Sequence, residues 1–394
     1  MGDIKGRALV RIDVNVPVRN GKIVANNLRF KAISKKINCY SENGIAPVIV
    51  SHQGRKGDDD YLESLEQHKE VFQKLLPQIE FFYSNNLDGT ELKSKMLSLK
   101  QGQALVVKNI RDHEDEKKTF KNADERKNSE MVKFFSPLVD LYINDAPATM
   151  HRGDTSLTAF RHALPSFLGL QMEEELKVLQ EIKNHMNSGK KIAIIFGGKK
   201  WEKLEYVYKI AANKNVTVLC GGVPGQSVCY LRNKTKFNKE NEDFISNTES
   251  LDTAAKLIQD FDHRIIYPID FVLDDKENVH VEDLKNKKGS IMDIGEQTLS
   301  KFFEVLEDSE VIIYAGPVGK YEKGYDKTIR LVSRFMGLKT MNYTFGGNSA
   351  DSMDEVGLDV AYEKLGGKRI TSGGSGLAFL ANDKLPALEV FESG

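Results

Sequence analysis

The stretch LVRIDVNVPV (residues 9–18) carries Leu9, Val10, Ile12, Val14, Val16 and Val18, the apolar, largely β-branched content of a buried strand. Arg11, Asp13 and Asn15 alternate with them on one face, and Pro17 ends any ladder the strand could form. Two accounts fit that pattern. Alternation is the signature of a half-exposed strand with a polar solvent side. A strand of an open parallel sheet instead delivers functional side chains at its C-terminal end. The second account predicts that other strands of the chain do the same.

Short apolar runs recur along the chain: ALVRIDVNV, APVIVSH, ALVVKNI, LYINDA, KIAIIFGG, VTVLCGG, IIYPIDFVL, VIIYAGP and KRITSGG. Amphipathic segments of helical period lie between them, among them LESLEQHKEVFQKLL, QMEEELKVLQEIKNHM and EQTLSKFFEVL. This alternation predicts α/β architecture with parallel, doubly wound (Rossmann-like) sheets flanked by helices. Helical period runs from Met172 to about Met186, between the turn LPSFLG and NSGKK. That helix reads as a hinge over 172–190, joining an N-terminal domain over 1–171 to a C-terminal domain over 191–379.

With 394 residues the chain is long enough for two cores. Its formal charge of −1 excludes a global pull towards nucleic acid or anionic membrane. No apolar run approaches the ~18 residues of a membrane span. The opening MGDIKGRALV lacks the apolar core of a secretory signal, and Cys39, Cys220 and Cys229 are scattered without metal spacing. The expectation is a cytoplasmic protein with three structural thiols.

The two halves end their strands in different residues. In the first, Ser51, His52, Gly54 and Arg55 follow APVIV, Asn109 and Arg111 follow ALVVK, and His151 and Arg152 follow LYINDA. Arg29 stands a short loop after the first strand. Such a set suits a small, multiply charged anion, because guanidinium forks match carboxylate and phosphate geometry. In the second half the strand ends carry glycine: FGGKK (196–200), CGGVPGQ (220–226), YAGPVGKYE (314–322), FGGNSAD (345–351) and TSGGSG (371–376). Glycine admits close backbone approach, and helix N-termini present N–H groups to anions. Tight turns alone explain any one of these. None is a P-loop or a GxGxxG fingerprint, so a nucleotide site here would be built from several loops.

An anion half beside a nucleotide half implies phosphoryl transfer, and at this point a resemblance emerges. A dozen motifs in order, from RIDVNVP, SHQGR, SLEQHKE, KNIR and YINDAPATMHR to FGGKK, CGG, DFVLDD, DIGEQT, AGPVGKYE, FGGNSA and TSGGSG, resemble phosphoglycerate kinase, nearest to its archaeal branch. The resemblance runs from about residue 7 to the end. It implies a glycolytic and gluconeogenic phosphotransferase that moves a phosphoryl group reversibly between 1,3-bisphosphoglycerate and ADP, giving 3-phosphoglycerate and ATP. Asp13, Asn15, Arg29, His52, Arg55, Arg111, His151 and Arg152 match its acid site. Gly197, Gly198, Lys200, Gly221, Gly222, Pro317, Glu322, Gly346, Gly347, Asn348 and Ser349 match its nucleotide site, with Glu322 as the ribose ligand. Arg29, Lys200, Gly347 and Gly374 match the residues around the transferring phosphoryl group. The resemblance further implies Mg²⁺ with ADP or ATP, a monomer, closure of the domains, and no nucleic-acid or membrane partner. It also implies that the tail over 380–394 packs back on the first domain through Leu385, Leu388, Val390 and Phe391.

The nucleotide half departs most from the family pattern. Asn348 stands for an aspartate, so any metal contact there would run mainly through the nucleotide phosphates. Ala315 stands for an asparagine, Lys199 for a small residue, and Trp201 for a small aliphatic one. Lys203 is out of step with a second family lysine by one residue. Two alternatives arise: a paralogous kinase with another nucleotide or acid substrate, and a non-catalytic binding protein. Arg29 and Lys200, which matter most at the transition state, argue against the latter.

Overall fold

Parallel strands bury both faces, so their sequences run apolar on both parities. The opening strand obeys that rule. A computed structural model describes residues 5–199, 201–248 and 251–392, with the side chains of residues 201, 348 and 392 outside that description. The chain forms two compact units: Met1–Lys177 with Lys384–Gly394, and Val178–Asp383.

In the first unit, β1 (Gly6–Ile12) is followed by a hairpin of β2 (Val18–Arg19) and β3 (Lys22–Ile23), then β4 (Ile45–Val50), β5 (Glu80–Ser84), β6 (Gln103–Val107), β7 (Leu141–Asp145) and β8 (Ser166–Leu168). Six of these form one sheet in the order β5-β6-β4-β1-β7-β8, and every pairing in it is parallel. Ala8, Val10 and Ile12 enter a core with Phe30, Tyr40 and Phe72. Leu9 enters the opposite core with Phe135, Tyr142 and Phe160. The strand is therefore buried on both sides, and the half-exposed reading fails. Arg11, on the parity of Leu9, is itself 1% exposed.

The turn LPSFLG contains a strand that its sequence does not announce. β8 is three residues long, comes directly after Pro165 and lies at the sheet edge, too short to show a period. After it comes the helix Leu170–Asn187, within which the division between the units falls. Its N-terminus is capped from unit 1: Met172 N–H donates to Asp145 Oδ1 (2.9 Å) and Leu170 N–H to the Tyr40 hydroxyl (2.8 Å), which donates to Asp145 Oδ2 (2.7 Å). Burial pushes the Asp145 carboxyl up to about 6 against these bonds. The tail helix Pro386–Glu392 packs in the same unit. Ala387 N–H donates to Met150 O (3.1 Å), Asn144 donates to Ala387 O (3.2 Å), and Phe391 stacks on Tyr142.

The second unit contains β9 (Ile192–Phe196), β10 (Val216–Cys220), β11 (Ile265–Ile266), β12 (Asp270–Leu273), β13 (Asn278–His280), β14 (Ile291–Ile294), β15 (Val311–Tyr314), β16 (Met341–Phe345) and β17 (Lys368–Ile370). Its six-stranded sheet runs β11-β10-β9-β15-β16-β17, again all parallel. The run IIYPIDFVL, one strand by composition, is two. Pro268 offers no N–H to a ladder, and the chain passes from β11 to β12 in a separate antiparallel sheet, β13-β12-β14. Cys220 and Cys229 are buried free thiols, and Cys39 is partly buried. Among the described residues no helix is long and apolar enough to cross a membrane.

Candidate functional site

In the first unit the strands β6, β4, β1 and β7 are neighbours, so the loops after their C-terminal ends must meet. Connections leave β1 towards β4 on one side and reach β7 on the other. This is the switch point at which open α/β sheets form their crevice. Asp13 and Asn15 leave β1, Ser51 to Arg55 leave β4, Asn109 and Arg111 leave β6, and His151 and Arg152 come after β7 by way of the turn Pro147–Thr149. Arg29 comes from the first turn of the helix Leu28–Glu42, whose N-cap Asn27 accepts from Arg29 N–H.

The loop after β4 is the node. Gly54 N–H donates to Asn15 Oδ1 (2.8 Å), and Arg111 Nη1 donates to Gly54 O. Asp13 accepts from Arg29 Nη1 and from Asn15 N–H (3.0 Å). His52, 1% exposed, faces Arg11 Nη2 across Nδ1 (3.1 Å) and Arg152 Nη1 across Nε2 (3.3 Å). Gln53 ties the loops together by bonding both the N–H and the C=O of Val16 (3.1 and 2.8 Å). Six of the eight acid-site candidates are thereby drawn into one network: Asp13, Asn15, Arg29 and Arg111 around the β4 loop, and His52 with Arg152 beside it. Of the other two, Arg55 is exposed on that same loop and His151 is half-buried next to Arg152.

Electrostatics set the character of this region. Burial would raise the Asp13 carboxyl, but Arg29, the Asn15 amide, Arg11 and Arg152 together hold it below its ordinary value. Arg111 is lowered to about 10, first by burial and then by Arg152, Arg11 and Arg55, while Asp154 opposes them. Arg152 is likewise lowered, first by burial. His52 is driven far below the usual imidazole range by burial and then by Arg11, Arg111, Arg152 and Arg29, so it is neutral. Asp154 is bound by Lys117 (2.7 Å). Guanidinium groups thus crowd one carboxylate, and Arg111 Nε is a buried donor without a hydrogen-bond partner. Such a locus is completed by an anion of more than one charge.

Arg11 is a functional candidate that the motif reading passes over. Its signal is present in the sequence: Leu9 on the same parity marks two-sided burial, so Arg11 has to point inward.

The second unit builds its strand ends from backbone. The turns after β9, β10 and β15 bond to one another: Gly198 N–H to Pro317 O (2.7 Å), Gly222 N–H to Val318 O (2.9 Å), Gly221 N–H to Phe196 O (2.8 Å) and Val223 N–H to Gly198 O (3.1 Å). A Cβ on Gly197 would stand 2.2 Å from Pro317 O, and one on Gly222 (φ +54°) 2.5 Å from Gly198 N. Glycine is needed here for loop-on-loop approach, and the N–H groups of Gly198, Gly221 and Gly222 are engaged within the protein.

A second pair of turns closes nearby strands. The helices Gly347–Glu355 and Gly374–Leu380 begin at Gly346 and Gly373 without a side-chain cap. These starts touch, since a Cβ on Gly346 would lie 2.7 Å from Gly373 Cα. Lys203 Nζ stands 3.1 Å from the position of a Cβ on Gly373, so a lysine absent from the matched set covers this turn. Ser349 is buried, while Glu322 and Lys199 are exposed. Lys320 is held below its ordinary value by partial burial, then by Lys323 and Lys199. Ala315 is buried at the end of β15, its N–H on Ile195 O (2.8 Å). Lys200 and the side chains of Trp201 and Asn348 lie outside the described residues. Among the described residues no cluster of three His, Cys, Asp or Glu could hold a metal.

Two parallel α/β units, one ending its strands in arginine and the other in glycine, define a two-unit phosphotransferase. The chain belongs to the phosphoglycerate kinase family, whose model, described as phosphoglycerate kinase, matches residues 3–382. It is 29% identical over 395 residues to the phosphoglycerate kinase of Pyrococcus horikoshii, covering 97% of this chain and 94% of that one. It is 32% identical over 398 residues to that of Sulfurisphaera tokodaii, covering 98% and 93%. The crystal structure of the Pyrococcus horikoshii OT3 enzyme superposes with a TM-score of 0.86 at 28% identity, over 100% of this chain and 97% of that chain.

Proposed function

We propose that this protein catalyses reversible phosphoryl transfer between 1,3-bisphosphoglycerate and ADP; its relatives carry the name phosphoglycerate kinase. The observation that carries the reading is the gathering of Arg29 and Arg152 around Asp13, with Arg111 coupled to Arg152, at adjacent strand ends. In this reading the arginines and His52 hold the phosphorylated acid, and Asp13 with Asn15 orients its hydroxyl and carboxyl region. The acyl phosphate P–O bond breaks as a terminal phosphate oxygen of ADP bonds to the same phosphorus. The carboxylate leaves, and no protein nucleophile is required. Arg29 neutralises charge on the transferring group from the acid side, and Lys200 with the helix starts at Gly347 and Gly374 from the nucleotide side. Mg²⁺ would be held mainly through the nucleotide phosphates and would supply further charge neutralisation there. A monomer acting in the cytoplasm completes the proposal.

A coupled assay with 3-phosphoglycerate, Mg²⁺ and each of ATP and GTP tests it. Turnover dependent on both the acid and a nucleotide is expected. A folded sample that turns over with neither nucleotide would sink the reading.

A further inference from the structure

Arg11 is the polar residue of the opening strand that the acid site leaves unexplained. It is 1% exposed, on the face of β1 that sends Leu9 into the core. Its guanidinium donates in three directions: Nε to Ser156 Oγ (2.9 Å), Nη1 to Ile12 O, and Nη2 towards His52 Nδ1 (3.1 Å). A guanidinium can only donate, so the Ser156 hydroxyl accepts from it and spends its own hydrogen on Glu116 Oε1 (2.8 Å). The Ser156 N–H holds Glu116 Oε2 (2.8 Å). Glu116 is also 1% exposed. Cation, hydroxyl and carboxylate are thus strung in one buried line behind His52.

The two faces of His52 are in conflict. A neutral imidazole has one accepting nitrogen, yet guanidinium groups face both, Arg11 at Nδ1 and Arg152 at Nε2. Only one of them is satisfied. Arg11 is pinned by its other two bonds and by burial, whereas Arg152 is half-buried and its contact is the longer. We propose that Arg11, held by Ser156 and Glu116, is a positioning residue that fixes His52 with its proton on Nε2, so that His52 enters the acid site as a hydrogen-bond donor beside Arg152. The inference rests on reading this region as the phosphoglycerate site. Nε2–H and Arg152 Nη1 then aim two donors at one locus, which an anionic oxygen satisfies. The other tautomer would turn a lone pair towards that anion and repel it.

Long-range ¹H–¹⁵N correlation of the histidine side chains in the ligand-free, ¹⁵N-labelled full chain reads the tautomer directly. His52→Gln assigns the signal. Calorimetric titration with 3-phosphoglycerate and with Mg-ADP runs alongside. His52 is expected to be pyridine-like at Nδ1 and pyrrole-like at Nε2. Arg11→Met should give mixed tautomers and weaken 3-phosphoglycerate by roughly tenfold or more, with Mg-ADP held within about twofold. Arg11→Lys, which keeps a cationic donor, should restore part of both. Ser156→Ala should shift the tautomer less, and it serves if Arg11→Met does not fold. A wild-type proton on Nδ1, or a His52 signal unmoved in the folded Arg11 or Ser156 variant, would overturn the role of Arg11. If the wild type binds no 3-phosphoglycerate, the functional reading falls, while the tautomer comparison, made without ligand, still decides the role of Arg11.

Discussion

The two units place their candidate sites at the same topological position and make them from different material. Unit 1 presents side chains: Asp13, Arg29, His52, Arg111 and Arg152 lean on one another through hydrogen bonds and charge. Unit 2 presents backbone, with the turns after β9, β10 and β15 bonded to one another N–H to C=O. A charged site can be weakened one residue at a time and remain folded. A backbone site loses shape and stability together.

The largest test of that contrast is Gly197→Ala. Its Cβ would meet Pro317 O at 2.2 Å, a backbone atom that cannot swing aside. Overpacking against backbone should cost about 3 kcal/mol or more. Urea unfolding should show an earlier midpoint, and Mg-ADP titration a loss of binding that the 3-phosphoglycerate titration does not share. A neutral outcome would break the comparison.

Arg111→Ala probes the other material. Losing a charged hydrogen bond costs about 1.5–3 kcal/mol, roughly a ten- to hundredfold weakening of 3-phosphoglycerate. Its stability should hold or rise, since Arg111 sits among Arg152, Arg11 and Arg55. Equal loss for acid and nucleotide would contradict the separation of roles. Arg55→Ala, at an exposed cation, should weaken the acid less.

Both units also bury a carboxyl. Burial raises Glu116 to about 7 against the pull of Arg11, and raises Asp293 to about 7 against its bonds with the Lys327 and Ile294 amides. The folded state holds these protons more tightly than the unfolded chain, whose carboxyls titrate near 4. Their contribution to stability is complete below that pH, declines as pH rises to about 7, and is flat above it, a change on the order of 4 kcal/mol each. Thermal midpoints across pH 4 to 8 should show the decline. Glu116→Gln and Asp293→Asn should each flatten it, and unchanged slopes in both would refute the assignment.

The smallest effect is expected at Lys199. It is exposed, so Lys199→Ala should alter stability by less than about 0.5 kcal/mol. Nucleotide affinity should change by less than about tenfold and more at low salt, because the charge acts through solvent. Salt-independent loss would mean direct contact with the nucleotide.

Legibility in the sequence divides along the same line. Alternating apolar runs announce parallel sheets, and cations at four strand ends announce an anion locus, because charge is carried by the letters themselves. Arg11 is harder, since a polar residue in one strand reads equally as a solvent face until Leu9 on its parity is weighed. β8 and the break at Pro268 are hidden by brevity and by an apolar composition that does not distinguish one strand from two. The glycine turns are visible as turns, but their bonding to one another depends on the order of strands in the sheet. The approach of Lys203 to Gly373 is a property of three dimensions that no motif spacing carries.

The interlocked turns of unit 2 bear on how such a protein can change over generations. Every amino-acid substitution of a glycine adds atoms, so at Gly197 and Gly222 each single replacement drives a carbon into the neighbouring turn. Relief would require that neighbour to move in the same step, and the neighbour is constrained in turn by its own glycine. The arginine locus can be retuned by single exchanges, whereas this corner can be reached or left only by several coordinated ones. Change in this corner is thereby steered away from the turns and onto flanking positions such as the exposed Lys199.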